Sequence, residues 1–177
     1  FMACIMVMSM TIYTLPFGVA LGSFFAASAY MLLRAKAPKT GAIILFGILF
    51  GLVMFAMGSG WPILVAVITS SIIAELIARS GHYKSYTCEV IGYCILMLGT
   101  AIGSYIPFLV MKDYYLKIAE GNSINREFMS RLIAFISGPY LVLALATTVV
   151  TTILGAVLAR VIFKKHLVKA GLLKETK

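Results

Sequence analysis

The stretch that decides the fold is residues 41–81, GAIILFGILFGLVMFAMGSGWPILVAVITSSIIAELIARSG. It consists of one apolar run, AIILFGILFGLVMFAM, a break at Gly58-Ser59-Gly60-Trp61-Pro62, and a second run, ILVAVITSSIIAELIA, closed by Arg79. About 18 to 20 apolar residues at about 1.5 Å each reach across the ~30 Å hydrocarbon core of a bilayer. The stretch therefore reads as a helical hairpin that crosses a membrane twice. The break has the chemistry of a tight reversal. Its glycines supply unusual dihedrals, and Pro62 suits the first turn of the next helix, where a missing N–H costs nothing. Trp61, the chain's single tryptophan, favours the membrane interface. It has two readings: an interfacial anchor, or a wall on which a flat ligand stacks at the mouth of a helix bundle.

Working outward, a mean hydropathy of +1.03 and 62% apolar residues place the whole chain among integral membrane proteins. Its 177 residues allow about six spans and leave no room for a separate nucleotide-binding domain. The chain opens at Phe1 inside an apolar stretch, so a preceding N-terminal segment is expected. Cys4, Cys88 and Cys94 have no CxxC spacing and sit in or beside apolar runs, as inert packing residues do.

The expected architecture is an all-α membrane protein, a six-transmembrane-helix bundle forming a single domain over 1–177. The spans are placed at about 1–13, 15–33, 40–57, 61–79, 88–110 and 132–163. Within them, Gly22, Ala26 and Ala29, then Gly47 and Gly51, then Gly99 and Gly103 are small faces that let helices approach closely. Pro107 is placed to kink or end the fifth span. Glu75 has Arg79 four residues later on the same helix face, a spacing that suits a structural ion pair. Residues 111–131 are polar and long for a connection in a compact bundle, which suits a lid.

Charge fixes the expected orientation. Arg34, Lys36, Lys39, Arg79, Lys84, Arg160, Lys164, Lys165, Lys169, Lys174 and Lys177 all fall on one side of this topology. Only Lys112, Lys117, Arg126 and Arg131 fall on the other, among Asp113, Glu120 and Glu127. By the positive-inside rule both termini are cytoplasmic, while the GSGWP turn and the 111–131 lid face outward. The formal net charge of +9 then answers to topology and anionic inner-leaflet lipid rather than to nucleic acid.

Enzyme constellations are missing. There is no HExxH, no histidine pair for a metal and no GxxxxGK[ST] loop, so no catalytic residue, metal or cofactor is assigned and ATP hydrolysis is not expected of this chain. Glu75 and Glu89 lie near the inner ends of their spans, whereas an ion-coupled carrier usually places acids at mid-membrane. The outer face gathers Tyr13, Ser59, Trp61, Tyr105, Asp113, Tyr114, Asn125 and Tyr140, beside Thr14 and Tyr115. That is the composition of a small-molecule pocket with a closing loop; it is also that of an aromatic belt.

The runs GSGWPILV, AELIARSGHYKSY and FKKHLVKAGLL resemble the Trep_Strep family of small bacterial membrane proteins, counted among the substrate-binding S components of energy-coupling factor (ECF) transporters. The resemblance implies a substrate-binding subunit of an ATP-driven vitamin importer in the bacterial cell membrane. Its implied partners are an ECF transmembrane coupling protein (the T component) and two ABC-type ATPases. It further implies a small nutrient ligand held in the outer half, leaning toward a heteroaromatic such as the hydroxymethylpyrimidine precursor of thiamine or a vitamin B6 form. S components commonly dock the coupling protein through Ala-x-x-x-Ala on the first helix, but four residues after Ala3 stands Val7. Either that motif precedes this sequence or the Gly22, Ala26 and Ala29 face substitutes for it. The competing readings are a stand-alone ion-coupled secondary carrier, a membrane-embedded enzyme and a structural or assembly subunit.

Overall fold

The computed structural model describes residues 4, 13–36, 39–83, 85–121 and 126–163. Among them are seven α-helices: α1 (Gly18–Lys36), α2 (Ala42–Met54), α3 (Trp61–Ser80), α4 (Tyr86–Val110), α5 (Lys112–Gly121), α6 (Arg126–Ile136) and α7 (Pro139–Ile162). No strand occurs among the described residues. A short 3-10 turn, Leu15–Phe17, leads into α1, and a wider π-helical turn, Phe55–Ser59, ends α2.

Four of these segments are long and apolar enough to cross a membrane: Leu15–Lys36, Trp61–Ser80, Tyr86–Val110 and Pro139–Ile162. The apolar helix Ala42–Met57 is shorter, because Gly41 starts it and the glycine-rich break stops it. The helices are apolar on the side that the chain leaves uncovered as well as inside. Leu45 and Leu49 on α2, Val65 and Leu76 on α3, and Val150, Leu154, Val157 and Val161 on α7 are all exposed. A water-soluble bundle would carry polar residues there; hydrocarbon is the solvent these faces fit.

Two boundaries differ from the sequence reading. The described residues of the 111–131 segment are helical rather than a loop, forming α5 and the start of α6. Phe128, Met129, Leu132, Ile133 and Ile136 recur at helical spacing on α6 and give it an apolar face. The last span consequently begins at Pro139 rather than at 132, after a turn at Ser137-Gly138. Pro107 does not stop α4, which runs on to Val110, where Met111 N–H still reaches the Pro107 carbonyl at 2.8 Å. The expected first span, 1–13, lies outside the described residues apart from Cys4 and Tyr13.

Packing follows small residues. α2 lies on α3, α3 on α4, and α4 on both α7 and α1, while α1 and α7 pack together. A Cβ added at Gly47 would collide with Ser71, one at Gly99 with Ser70, and one at Gly103 would stand 3.1 Å from the Ile63 Cα. One at Gly155 would stand 2.6 Å from the Phe24 carbonyl. Close approach of this kind replaces the hydrophobic drive that lipid removes. Gly22 is buried within the chain, Ala26 is half-buried and Ala29 is exposed. The exposed residues of α1 are Phe25, Ala29, Ala35 and Lys36, so of the three only Ala29 is uncovered.

Candidate functional site

The alternation of the helices brings the end of α2, the starts of α1, α3 and α7, the end of α4 and both short helices to one end of the bundle. Two aromatic groups form there. In the first, the Tyr115 hydroxyl on α5 donates to the Ser59 carbonyl at 3.3 Å, and the Tyr115 ring lies 4.5 Å from that of Phe108 and 5.3 Å from that of Tyr114. Gly60 is held at φ +81° with the Tyr115 hydroxyl only 3.1 Å from where a Cβ would stand. Dihedral and space both demand glycine there. Burial, with Tyr114 beside it, pushes the Tyr115 phenol above its usual range. In the second group Tyr140, one residue into α7, stacks on Phe135 of α6 at 4.1 Å, and Tyr13 meets the same ring edge-on at 5.3 Å.

Between these groups lies a buried apolar cluster. Met129, Leu132, Ile133 and Ile136 of α6 cover Val19 of α1, Ala101 and Tyr105 of α4 and Ala144 of α7. Tyr105 is 2% exposed, and its hydroxyl donates its proton to no partner; the Val19 backbone lies beside the hydroxyl oxygen. A buried hydroxyl left unpaired costs about 1–3 kcal/mol. Such a group is at once a stability defect and an available donor.

The sequence-predicted residues distribute as follows. Ser59 offers its carbonyl to Tyr115, Tyr105 sits at the centre of the covered cluster, and Tyr13 and Tyr140 flank Phe135. Trp61 and Tyr114 are partly uncovered at the rim, at 48% and 36%, and Asp113 is exposed in the first turn of α5. Asn125 lies outside the described residues, as do His166 and the rest of the tail beyond Phe163. Sequence reasoning missed Phe135, whose signal was the amphipathic pattern of α6.

The opposite end is built from charge. Arg34 Nε and Nη2 donate to Glu89 Oε2 and Oε1 at 2.7 and 2.8 Å, with both residues buried. One turn back, Tyr30 stacks on Tyr93 at 4.6 Å, and the Tyr93 hydroxyl donates to the Ser23 carbonyl at 2.6 Å. Glu75 does not serve the expected i, i+4 pair with Arg79. Its carboxylate accepts from Gly41 N–H at 2.9 Å, Ile43 N–H at 3.0 Å and the Tyr83 hydroxyl at 2.9 Å. It thus caps α2, where the first-turn amides and the helix dipole favour an anion. Arg34 also lies over the Tyr83 ring, 5.1 Å from its centroid, so one network joins α1, α2, α3 and α4. Among the described residues no group of three His, Cys, Asp or Glu side chains comes together to hold a metal.

The chain belongs to the Trep_Strep family, described as a hypothetical bacterial integral membrane protein family, whose model matches residues 1–169. No curated protein and no solved structure matches it. With its apolar spanning helices, the chain is a bacterial integral membrane protein.

Proposed function

We propose that this chain is the substrate-binding membrane subunit of an ATP-driven ECF-type importer. In this reading its aromatic end faces outside and captures a small heteroaromatic nutrient, and it delivers that nutrient through a coupling protein and two ABC-type ATPases. Both termini are then cytoplasmic, in a six-span bundle whose first span precedes Tyr13. The observation that carries the reading is the amphipathic α6 laid over a buried, unpartnered Tyr105 hydroxyl at one end of a membrane bundle. A pocket that closes over its ligand needs an apolar cover and a few polar groups to orient the guest. Trp61, Tyr114 and Tyr140 supply stacking faces at the rim, and Asp113 an acceptor. The charge distribution supports the orientation, because Arg34, Lys36, Lys39, Arg79 and Arg160 all stand at the opposite end.

The buried acids favour the same reading over a lone ion-coupled carrier. Glu89 is bonded to Arg34 and Glu75 caps a helix, so neither is free to carry a proton through mid-membrane. Uptake assays separate the two. Uptake that requires the ATPase pair and survives an ionophore supports the importer; uptake by this chain alone that an ionophore abolishes supports the carrier and sinks the proposal.

A further inference from the structure

We infer that the compound held at the aromatic end is uncharged and is anchored by accepting one hydrogen bond from Tyr105; this rests on the capture role proposed above. Around Tyr105 the other hydroxyls have committed their protons to their own helices: Thr100 to the Leu96 carbonyl at 2.9 Å, Ser104 to Thr100 at 2.7 Å and Thr148 to Ala144 at 2.8 Å. Tyr105 has not. Among the described residues, the other buried side-chain atoms without a partner are the hydroxyls of Tyr30 and Tyr86, which lie toward the opposite, charged end.

Charge is segregated in the same way. Among the described residues, every buried ionic side chain, Arg34, Glu75 and Glu89, stands at the far end and is bonded there. The charged residues of the aromatic end whose side chains are described, such as Lys112, Asp113 and Arg131, are exposed at the rim. A phosphate or carboxylate drawn beneath α6 would lose its water and meet Leu132, Ile133 and Ile136 with no counter-charge. Burying an unpaired charge is far more costly than burying a hydrogen-bonded neutral group. The site therefore selects a neutral body that offers an acceptor to Tyr105, with ring nitrogen or hydroxymethyl oxygen as the fitting chemistry. Entry requires α6 to lift. The turn at Ser137-Gly138 is what joins α6 to α7.

The test is binding by the full chain in lipid nanodiscs, with hydroxymethylpyrimidine, pyridoxine and the phosphate monoester of each as probes. The inference predicts that at least one neutral compound binds and that its phosphate binds roughly 100-fold more weakly. Tyr105→Phe should weaken the neutral compound about 10-fold without lowering the melting temperature. Tyr30→Phe, which removes an unpaired buried hydroxyl at the other end, should leave affinity unchanged. Equal binding of the phosphate, or full affinity in Tyr105→Phe, overturns the inference and leaves the capture role standing. Binding of none of the four overturns both.

Discussion

The Arg34 guanidinium grips the Glu89 carboxylate with two parallel hydrogen bonds, 2.7 and 2.8 Å long, inside the bundle. The pair ties α1 to α4 at the charged end, whereas at the aromatic end the same two helices meet through the apolar cluster around Val19 and Tyr105. One seam is thus bonded at one end and packed through apolar side chains at the other.

Removing one partner of a buried ion pair strands the other. Glu89→Leu should destabilise the chain by about 3–5 kcal/mol, while Arg34→Met combined with Glu89→Leu should recover most of that loss. Unfolding in detergent followed by circular dichroism reads both. A single variant as stable as the parent would mean that the pair is not buried as described.

Glu75 is a helix cap rather than half of a surface ion pair. Glu75→Gln should cost about 1–2 kcal/mol, since two backbone N–H groups and the Tyr83 hydroxyl lose a charged acceptor. Arg79→Ala should change stability by less than about 0.5 kcal/mol. The reverse order of effects would restore the i, i+4 pairing.

The contact of α1 with α7 depends on Gly155. Alanine there would press on the Phe24 carbonyl and on Ala27, and overpacking of this kind costs about 1–3 kcal/mol. Gly138→Ala, whose Cβ would make only ordinary contacts at 3.9 Å and beyond, should be near neutral. Melting temperatures of the two variants in one detergent make the comparison.

Rim residues should affect affinity rather than fold. Trp61→Ala is expected to weaken binding of the neutral probe about 10-fold and Trp61→Phe much less. Asp113→Asn should weaken it about threefold. Titration of the purified variants decides; unchanged affinity in both Trp61→Ala and Asp113→Asn would remove the rim from the site.

Much of this was legible from residue type and spacing. The apolar runs on either side of Gly58–Pro62 gave the hairpin, and the small residues Gly47, Gly51, Gly99 and Gly103 marked faces that the fold does press against α3. What escaped were relationships between segments far apart in sequence. Glu75 could be matched by spacing with Arg79, but its partner is the start of α2, 34 residues away. Glu89 was visible as an acid near a span end, yet nothing local pointed to Arg34. The 111–131 segment read as a loop because its mean character is polar. Its helical order rests on one apolar face that becomes meaningful only against Tyr105 and Val19. Of the small face Gly22, Ala26 and Ala29, the fold covers Gly22 and leaves Ala29 exposed, a difference that spacing alone does not show.

The most direct test of the importer reading is to tag this chain in its native membrane, purify it gently and identify by mass spectrometry the proteins and small molecules that accompany it. The account predicts two ABC-type ATPases and one coupling membrane protein, with an uncharged heteroaromatic retained by the parent and lost from Tyr105→Phe. A chain that emerges without those proteins, while still supporting uptake that an ionophore abolishes, would contradict it.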